Sequence, residues 1–371
     1  MSALVSRRLA SLFMAAAAVT APVAALAQGD FGKPGEPIKL VVGYQPYYAQ
    51  AWSAAAMRGK EMWKKYLPAG STVEFQVGLQ GAVIVNQMLA GKQQIGYMGD
   101  MPAIVSTTKQ DVADVRIVAT LGLGKDNCNI FLTRTDAPQF KNAKEALAWL
   151  DGTQVAVPKG SCTDRYAQTV FRKENIKPAA YLNQNIEVIT SNFKAGKLDA
   201  AVVWEPTASK LVDEGLARRV ASGASVDEID GGFLAMRYDL IQARPDVVKG
   251  WLQAELDAQL FIADPKNAAE LVKLIAAQTT GFSDKVLFRA YYGQSPVEQG
   301  GTDVRNSLEY TLTPAAMELI TRATAFLFSL KSINVEKLRP EALMPQFTQE
   351  ILKERKLTAP IAQVRSMPDP K

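Results

Sequence analysis

The chain contains no histidine among its 371 residues and only two cysteines, Cys128 and Cys162. Without imidazole, Ser-His and Cys-His nucleophilic sites, histidine general bases and the common zinc sites are excluded. The sequence also lacks a Walker loop, a Gly-x-Gly-x-x-Gly turn after a strand and a Cys-x-x-Cys pair, so it predicts no cofactor. An enzyme built on this chain would have to rely on carboxylates, lysine or tyrosine.

A large excess of one charge is missing as well. The formal net charge is +5, and the two arginines of the N-terminal segment, Arg7 and Arg8, account for part of it. The remaining basic residues are dispersed, so the sequence predicts no nucleic-acid partner. The chain exceeds the length at which one hydrophobic core divides, so two lobes with separate cores are expected.

The first residues have the pattern of a secretory signal peptide. Arg7 and Arg8 precede an uncharged apolar run over residues 9–19, and Ala25-Leu26-Ala27 supplies the small-x-small pattern of a cleavage site. The apolar run is too short for a membrane anchor. Cleavage after Ala27 and a periplasmic location are therefore predicted, with residues 1–27 as the signal peptide.

Two segments about a hundred residues apart align without a gap: residues 90–102 and residues 195–207. In each copy, a glycine after a helix precedes a short apolar strand that ends on a carboxylate, Asp100 or Glu205. A proline follows soon after and can open the next helix. The repeat predicts two similar α/β lobes, each with a carboxylate at the strand ends where open sheets bind ligands.

Periodicity and turn residues predict the order of elements along the chain. The predicted strands are residues 38–44, 73–77, 115–120, 130–133, 154–157, 186–190 and two that end at Met98 and Trp204. The predicted helices are residues 51–66, 82–90, 162–174, 246–262, 266–277 and 314–330, with one more starting near Pro102. The predicted domains are residues 28–125 for the first part of lobe 1, 126–232 for lobe 2 and 233–371 for the return to lobe 1, with the return crossing near residues 231–236.

The ordered motifs resemble those of one family. Gly43-Tyr44-Gln45, residues 99–102, residues 155–161, residues 195–200 and Trp204-Glu205-Pro206 are similar, in order and spacing, to the periplasmic solute-binding proteins of the nitrate, sulfonate and taurine ABC importers. The resemblance implies a two-lobed type II binding-protein fold with a hinged cleft between the lobes. It further implies a non-enzymatic monomer that delivers a small molecule to an ABC permease in the inner membrane.

Two turns in the sequence are candidates for binding an anion. Gly160-Ser161-Cys162-Thr163 joins a strand to a helix, where free N–H groups and the helix dipole favour negative charge. Ser161 and Thr163 can add hydroxyl donors, although Ser161 also suits a simple helix cap. Gln80-Gly81 before the next predicted helix is a second donor turn, in the other lobe.

Aromatic and acidic residues complete the predicted ligand site. Tyr47, Tyr48, Trp52 and Trp204 are candidates for aromatic walls or for core packing. Asp100 and Glu205 in one cleft would repel a simple anion, so the sequence favours a zwitterion such as an aminosulfonate, unless Lys159 or Arg165 pairs with a carboxylate of the ligand. The predicted ligand-binding residues are Gln45, Tyr47, Tyr48, Gln80, Gly81, Asp100, Ser161, Cys162, Thr163, Trp204 and Glu205.

Three further possibilities stay open at the level of sequence. Export to an oxidising compartment favours a disulfide between Cys128 and Cys162, against two buried thiols. The fold resemblance also admits a binding protein for a thiamine pyrimidine precursor or for an aromatic acid. A secreted hydrolase with Asp100 and Glu205 as an acid and base pair is the remaining alternative.

Overall fold

The computed structural model describes residues 31–370, so the signal peptide expected at residues 1–27 lies outside the described residues. Two mixed β-sheets organise this part of the chain. The larger sheet has seven strands in the order β12-β11-β4-β10-β3-β1-β2, and the smaller has five in the order β7-β6-β8-β5-β9. We call the two α/β units built on these sheets the larger lobe and the smaller lobe.

The strands of the larger sheet are β1 (Lys39–Tyr44), β2 (Thr72–Val77), β3 (Ile95–Gly99), β4 (Val115–Gly124), β10 (Asp230–Arg237), β11 (Val304–Leu308) and β12 (Ala362–Arg365). Those of the smaller sheet are β5 (Ile130–Thr133), β6 (Gln154–Val157), β7 (Ala180–Asn183), β8 (Ala200–Val203) and β9 (Arg218–Ser222).

The helices are α1 (Trp52–Lys60), α2 (Gly81–Leu89), α3 (Asp100–Thr107), α4 (Ala143–Trp149), α5 (Cys162–Lys173), α6 (Ile186–Lys194), α7 (Thr207–Asp213), α8 (Tyr238–Ala243), α9 (Pro245–Ala263), α10 (Ala268–Ala276), α11 (Asp284–Tyr292), α12 (Pro314–Ser329) and α13 (Gln346–Arg355). None of the helices between residues 31 and 370 is long and apolar enough to cross a membrane.

The two sheets share one pairing pattern, as the sequence repeat predicts. Strand β1 pairs in parallel with β2 and β3, and β6 pairs in parallel with β7 and β8. An antiparallel strand then follows in each sheet, β10 beside β3 and β5 beside β8. Because the carboxyl ends of parallel strands meet at one edge, the loops after β1, β3, β6 and β8 form the ligand edge of each lobe.

Both sheets are covered on both faces, which explains why their central strands are apolar without alternation. In β5, Phe131 packs into a cluster with Tyr166 of α5, while its neighbour Ile130 packs on the opposite face with Ile189 and Leu211. In the larger lobe, helices α1 and α9 cover one face of the sheet, and α2, α3 and α12 cover the other. These buried layers hold the ligand edges rigidly.

The chain changes sheets twice, between β4 and β5 and between β9 and β10. The first change lies at residues 125–129 and the second at residues 223–229. The predicted return near residues 231–236 therefore comes too late, because those residues already form β10. A Cβ atom at Gly231 would come within 2.7 Å of Leu319 Cδ2, so the glycine permits close packing of β10 against α12.

Two other predicted elements differ in the structure. The helix expected over residues 51–66 ends at Lys60, because Glu61 adopts a left-handed conformation with φ of 49° and a 3-10 turn, Met62–Lys65, follows. Residues 186–190, expected as a strand, begin α6. Asn185 caps that helix by accepting a 2.9 Å hydrogen bond from the backbone N–H of Val188.

Candidate functional site

Two adjoining cavities lie where the ligand edges of the lobes meet. The inner chamber, of about 40 Å³, is lined by Gln45, Tyr48, Gly81, Gly99, Pro102, Ser161, Cys162 and Trp204. The outer chamber, of about 170 Å³, is lined by Gln80, Gly81, Ala82, Val85, Asn86, Pro102, Val105, Pro158, Lys159, Gly160, Ser161 and Trp204. Both chambers draw on both lobes, as a ligand cleft requires.

Two helices begin at the chambers, one from each lobe. Gly81 is the first residue of α2, and Cys162 is the first residue of α5. The residues before them, Gln80 and Ser161, make no side-chain cap hydrogen bond. The first N–H groups of both helices therefore stay open toward the chambers, and both helix dipoles favour negative charge there.

Gly81 lets α2 begin close to α3. A Cβ atom at this position would come within 2.3 Å of Pro102 Cγ. Because that proline lines both chambers, a larger residue at position 81 would push the wall of the cleft outward. Gly81 of the predicted donor turn thus allows the close approach of α2 to α3, in addition to contributing an open N–H.

Gln45 follows β1 and is 4% exposed. Its side-chain amide makes no hydrogen bond to any other residue between 31 and 370, although it lines the inner chamber. The Gln45 amide atoms are not among the fully buried unpaired atoms, so the group is open to the chamber and free to donate to a ligand there. It adds a third donor to those of the two helices.

The aromatic walls are Tyr48 and Trp204, one from each lobe. Their rings meet edge to face with centroids 6.3 Å apart. The indole Nε1 of Trp204 donates a 3.0 Å hydrogen bond to the carbonyl of Tyr47 across the lobes. Burial raises the pKa of Tyr48 well above its usual value, so this side chain stays neutral and its hydroxyl donates a hydrogen bond to Gln50 Oε1.

The hydroxyl groups at the start of α5 are already used within the turn. The Oγ of Ser161 donates to the carbonyl of Pro158 over 2.6 Å and lies 2.6 Å from the Oγ1 of Thr163. Thr163 is fully buried and lines neither chamber. The first N–H groups of α5, rather than these hydroxyls, are the open donors of the turn.

Cys162 forms a disulfide with Cys128, with their Cα atoms 6.3 Å apart. Cys128 lies in the first crossing between the lobes, and Cys162 lines the inner chamber. The bridge therefore ties the first crossing to the donor turn of the smaller lobe.

Asp100 is fully buried and lines neither chamber. One carboxylate oxygen accepts from the N–H of Met101 over 2.7 Å, and the other accepts from Arg165 Nη2 over 2.9 Å. Arg165 comes from α5 in the other lobe and also pairs with Glu228 at 3.2 Å in the second crossing. The carboxylate is thus part of a buried ion-pair network that joins the lobes.

Glu205 occupies a different environment. It lines a separate cavity of about 380 Å³ with residues of α7, β9 and the segment after α11. Its carboxylate accepts from the N–H and the Oγ of Ser209, each at 2.9 Å, and lies 4.0 Å from Arg305 Nη2. Burial raises the pKa of Glu205, and the field of Arg305 opposes that rise.

The expectation that Asp100 and Glu205 face one cleft is therefore corrected. Two of the aromatic candidates also lie elsewhere. Tyr47 points its ring toward Phe282, with centroids 6.0 Å apart, and Trp52 stacks on Tyr291 in the core. The backbone positions after the strands agree with the prediction, but the side chains are turned by their own neighbours.

The structure adds wall residues that the sequence did not single out. Gly99 and Pro102 flank Asp100 within the first repeat, so their place in that repeat was an available signal. Val85 and Val105 line the outer chamber from α2 and α3. Apolar helix residues of this kind cannot be told from core residues by sequence pattern alone. No group of three or more Cys, Asp or Glu residues in the described chain is arranged to hold a metal ion.

The sequence also matches a family model. The model described as the NMT1-like family matches residues 33–276. A curated relative, the taurine-binding periplasmic protein of Escherichia coli (strain K12), is 25% identical over 219 residues, or 56% of this chain and 65% of the relative. The match thus spans slightly less than two thirds of that relative's length.

Solved structures with the same fold include the alkanesulfonate-binding protein of Xanthomonas axonopodis pv. citri bound to MOPS. It has a TM-score of 0.66 and 18% identity, with 85% of this chain and 99% of that chain covered. The periplasmic nitrate-binding protein of Synechocystis PCC 6803 has a TM-score of 0.64 and 16% identity over 90% and 93% of the two chains. A desulfurization enzyme also matches, with a TM-score of 0.60 and 16% identity over 85% and 99%. At these identities the similarity establishes the fold, which binding proteins and enzymes share.

Proposed function

The chain belongs to the NMT1-like family, and we propose that it is the solute-binding component of an ABC importer for a small organic anion of the sulfonate type. One observation carries the proposal: open donors from both lobes converge on a cavity. They are the first N–H groups of α2 and α5 and the unpaired amide of Gln45. No carboxylate is among the residues that line either chamber.

The sizes of the chambers suit a compact head and a larger body. A cavity holds one water when about 10–15 Å³ is open to the centre of a water-sized sphere. The inner chamber has about 40 Å³ of such space, so it fits a group no larger than a sulfonate or nitrate. Val85, Val105 and Trp204 give the outer chamber an apolar wall for a short organic body. A sulfonate with a short chain matches both parts.

The geometry favours a simple organic anion over the zwitterion that the sequence suggested. Asp100 is paired with Arg165, and Glu205 is bonded to Ser209 in another cavity. Neither carboxylate is in place to hold an amine of the ligand. The same arrangement argues against a hydrolase that uses the two as acid and base, because the pair does not share one cavity.

The two-lobed fold is compatible with delivery of the ligand to a permease. Two crossing segments join the lobes, so the lobes can rotate about them, and a ligand that touches both favours the closed form. Small-angle scattering should then show a smaller radius of gyration when propane-1-sulfonate is added. Cells that lack the chain should lose uptake of a labelled sulfonate, and unchanged uptake would contradict the transport role.

Titration calorimetry of Gln45→Leu tests the proposed site. With propane-1-sulfonate as the probe, loss of one hydrogen bond to a charged group should weaken binding about tenfold or more. The free energy of unfolding should not fall, because the amide has no partner in the protein.

Gln259→Leu is the matched control. The Gln259 amide is buried and donates to Glu255 and to the carbonyl of Thr120, so its loss should cost stability and leave the binding constant unchanged.

The ligands titrated into the wild-type protein also include nitrate, benzenesulfonate and benzoate, which test for a bare anion and for an aromatic acid. If the wild-type protein binds none of the sulfonates, or converts them to product, the proposed function is wrong.

A further inference from the structure

Lys159 is the only charged residue that lines either chamber within residues 31–370. It stands in the turn between β6 and α5, directly before Gly160. Its ammonium group makes no ion pair in the described chain and lies 4.7 Å from the ring centroid of Tyr181. A cation over an aromatic ring keeps N–H donors free for another partner.

The backbone of this turn is held in place by three hydrogen bonds. The N–H of Lys159 donates to Asn183 Oδ1 over 3.1 Å, and the N–H of Gly160 donates to Asp164 Oδ2 over 2.9 Å. Ser161 Oγ closes the turn onto Pro158. Asp164, the acidic residue of the turn, is buried and also accepts from Gln168 and Tyr181. The flexible part is the lysine side chain, which starts from a fixed point beside the outer chamber.

The other polar side chains of the outer chamber are also able to donate. Gln80 and Asn86 line it from the larger lobe, and their amides make no hydrogen bond within residues 31–370. A ligand whose head occupies the inner chamber would place the end of a short chain among these groups. The end of the ligand chain would then contact the ammonium group of Lys159 and the amides of Gln80 and Asn86.

We infer that the cleft selects a dianion: a sulfonate whose chain carries a second acidic group, read by Lys159. The inference rests on the proposed function and names the ligand class of the same site. A distal carboxylate gains a charge-assisted hydrogen bond, a methyl group gains nothing, and a distal ammonium is repelled. Because Lys159 is exposed to solvent, each of these differences in affinity should be moderate.

Three ligands of equal chain length test this order: 3-sulfopropanoate, propane-1-sulfonate and 3-aminopropane-1-sulfonate. Calorimetry at neutral pH and constant ionic strength should show affinities that fall in that order, by about three- to tenfold per step. Lys159→Gln should remove most of the preference for 3-sulfopropanoate over propane-1-sulfonate. Lys159→Glu should bind 3-aminopropane-1-sulfonate more tightly than 3-sulfopropanoate.

Lys197→Gln is the control, because Lys197 is an exposed lysine of the same lobe that lines neither chamber. It should leave all three affinities unchanged. If the wild-type protein binds the three ligands equally, or the preference survives in Lys159→Gln, the inference is overturned while the sulfonate function stands. If none of the three binds, the sulfonate function itself fails and the inference falls with it.

Discussion

The two copies of the sequence repeat, residues 90–102 and 195–207, have the same backbone path and different side-chain roles. In both, a glycine with positive φ, 75° at Gly91 and 64° at Gly196, ends a helix, and a buried parallel strand follows. Asp100 then accepts a hydrogen bond from Arg165 of the smaller lobe, whereas Glu205 accepts one from Ser209 of its own lobe. The carboxylate of the first copy thus makes a close ion pair between the lobes, whereas that of the second bonds within its own lobe at the start of a helix and lies 4.0 Å from Arg305 of the larger lobe.

The difference shows how little a repeat determines about a side chain. The short side chain of Asp100 accepts from the very next N–H, which leaves its outer oxygen facing the other lobe. Glu205 is one methylene longer and reaches a residue four positions on. Equal backbone positions therefore do not imply a shared ligand role, and variants at each copy can test the contrast.

The largest effect is expected from Arg165→Met, which breaks the link made by the first copy. It leaves Asp100 and Glu228 buried without this partner, and loss of one member of a buried pair costs about 3–5 kcal/mol. Urea unfolding measures the loss. Arg172→Met on the same helix is the control, because Arg172 is exposed, makes no ion pair in residues 31–370 and should cost less than about 0.5 kcal/mol. Equal effects from the two variants would contradict the linking role.

Removal of the disulfide tests how much the smaller lobe gains from the bridge between its donor turn and the first crossing. The bridge closes a loop with a sequence separation of 34, and its loss should cost about 3–4 kcal/mol in the chain-entropy model. Unfolding of the Cys128→Ser, Cys162→Ser double variant measures this cost. Thiol labelling of the denatured, unreduced wild-type protein should find no free thiol, and two labels would show that the bridge does not form.

A pH series tests the protonation of Asp230, a buried carboxyl that feels the charge of Asp100 in the first copy. Burial raises the pKa of Asp230 to about 7, with a smaller contribution in the same direction from Asp100. A carboxyl whose pKa is raised in the folded state stabilises the fold below its unfolded pKa, and that stability is lost as pH rises. The free energy of unfolding should therefore fall between about pH 4 and pH 7, by at most about 1.4 kcal/mol per pH unit for this group.

Asp230→Asn should reduce this slope and not abolish it. Burial also raises the pKa of Glu255 to about 7, so a second group titrates in the same window. Urea unfolding at several pH values compares the variant with the wild type. An unchanged slope would show that Asp230 is ionised in the folded protein throughout the series.

The smallest effects are expected when each carboxylate is neutralised in turn. Asp100→Asn weakens a hydrogen bond to a buried guanidinium and should cost about 1.5–3 kcal/mol. Glu205→Gln should cost about 0.5–1.5 kcal/mol, because burial already disfavours the charged form of this side chain. Urea unfolding at neutral pH ranks the two. A larger loss from Glu205→Gln would reverse the comparison.

Much of the cleft was predictable because it depends on where strands end. Seven predicted ligand residues line the chambers: Gln45, Tyr48, Gln80, Gly81, Ser161, Cys162 and Trp204. The resemblance to the solute-binding proteins of nitrate, sulfonate and taurine importers is confirmed by the NMT1-like family match taken together with the taurine-binding relative and the alkanesulfonate- and nitrate-binding structures. What these residues bind stays a prediction until it is measured.

The sequence alone determined the α/β class, the repeat, and the strand ends and helix starts that line the chambers. These features follow from local causes: apolar runs, glycine at positive φ and the open N–H groups of a first turn. The directions of Asp100 and Tyr47 were decided by the tertiary structure. Their partners, Arg165 of the smaller lobe and Phe282, are close in space and distant in sequence, whereas Glu205 and Thr163 bond to Ser209 and Ser161 within their own segments. A buried charge takes whichever partner the packed lobes bring to it, because leaving it unpaired costs more than any local preference can supply.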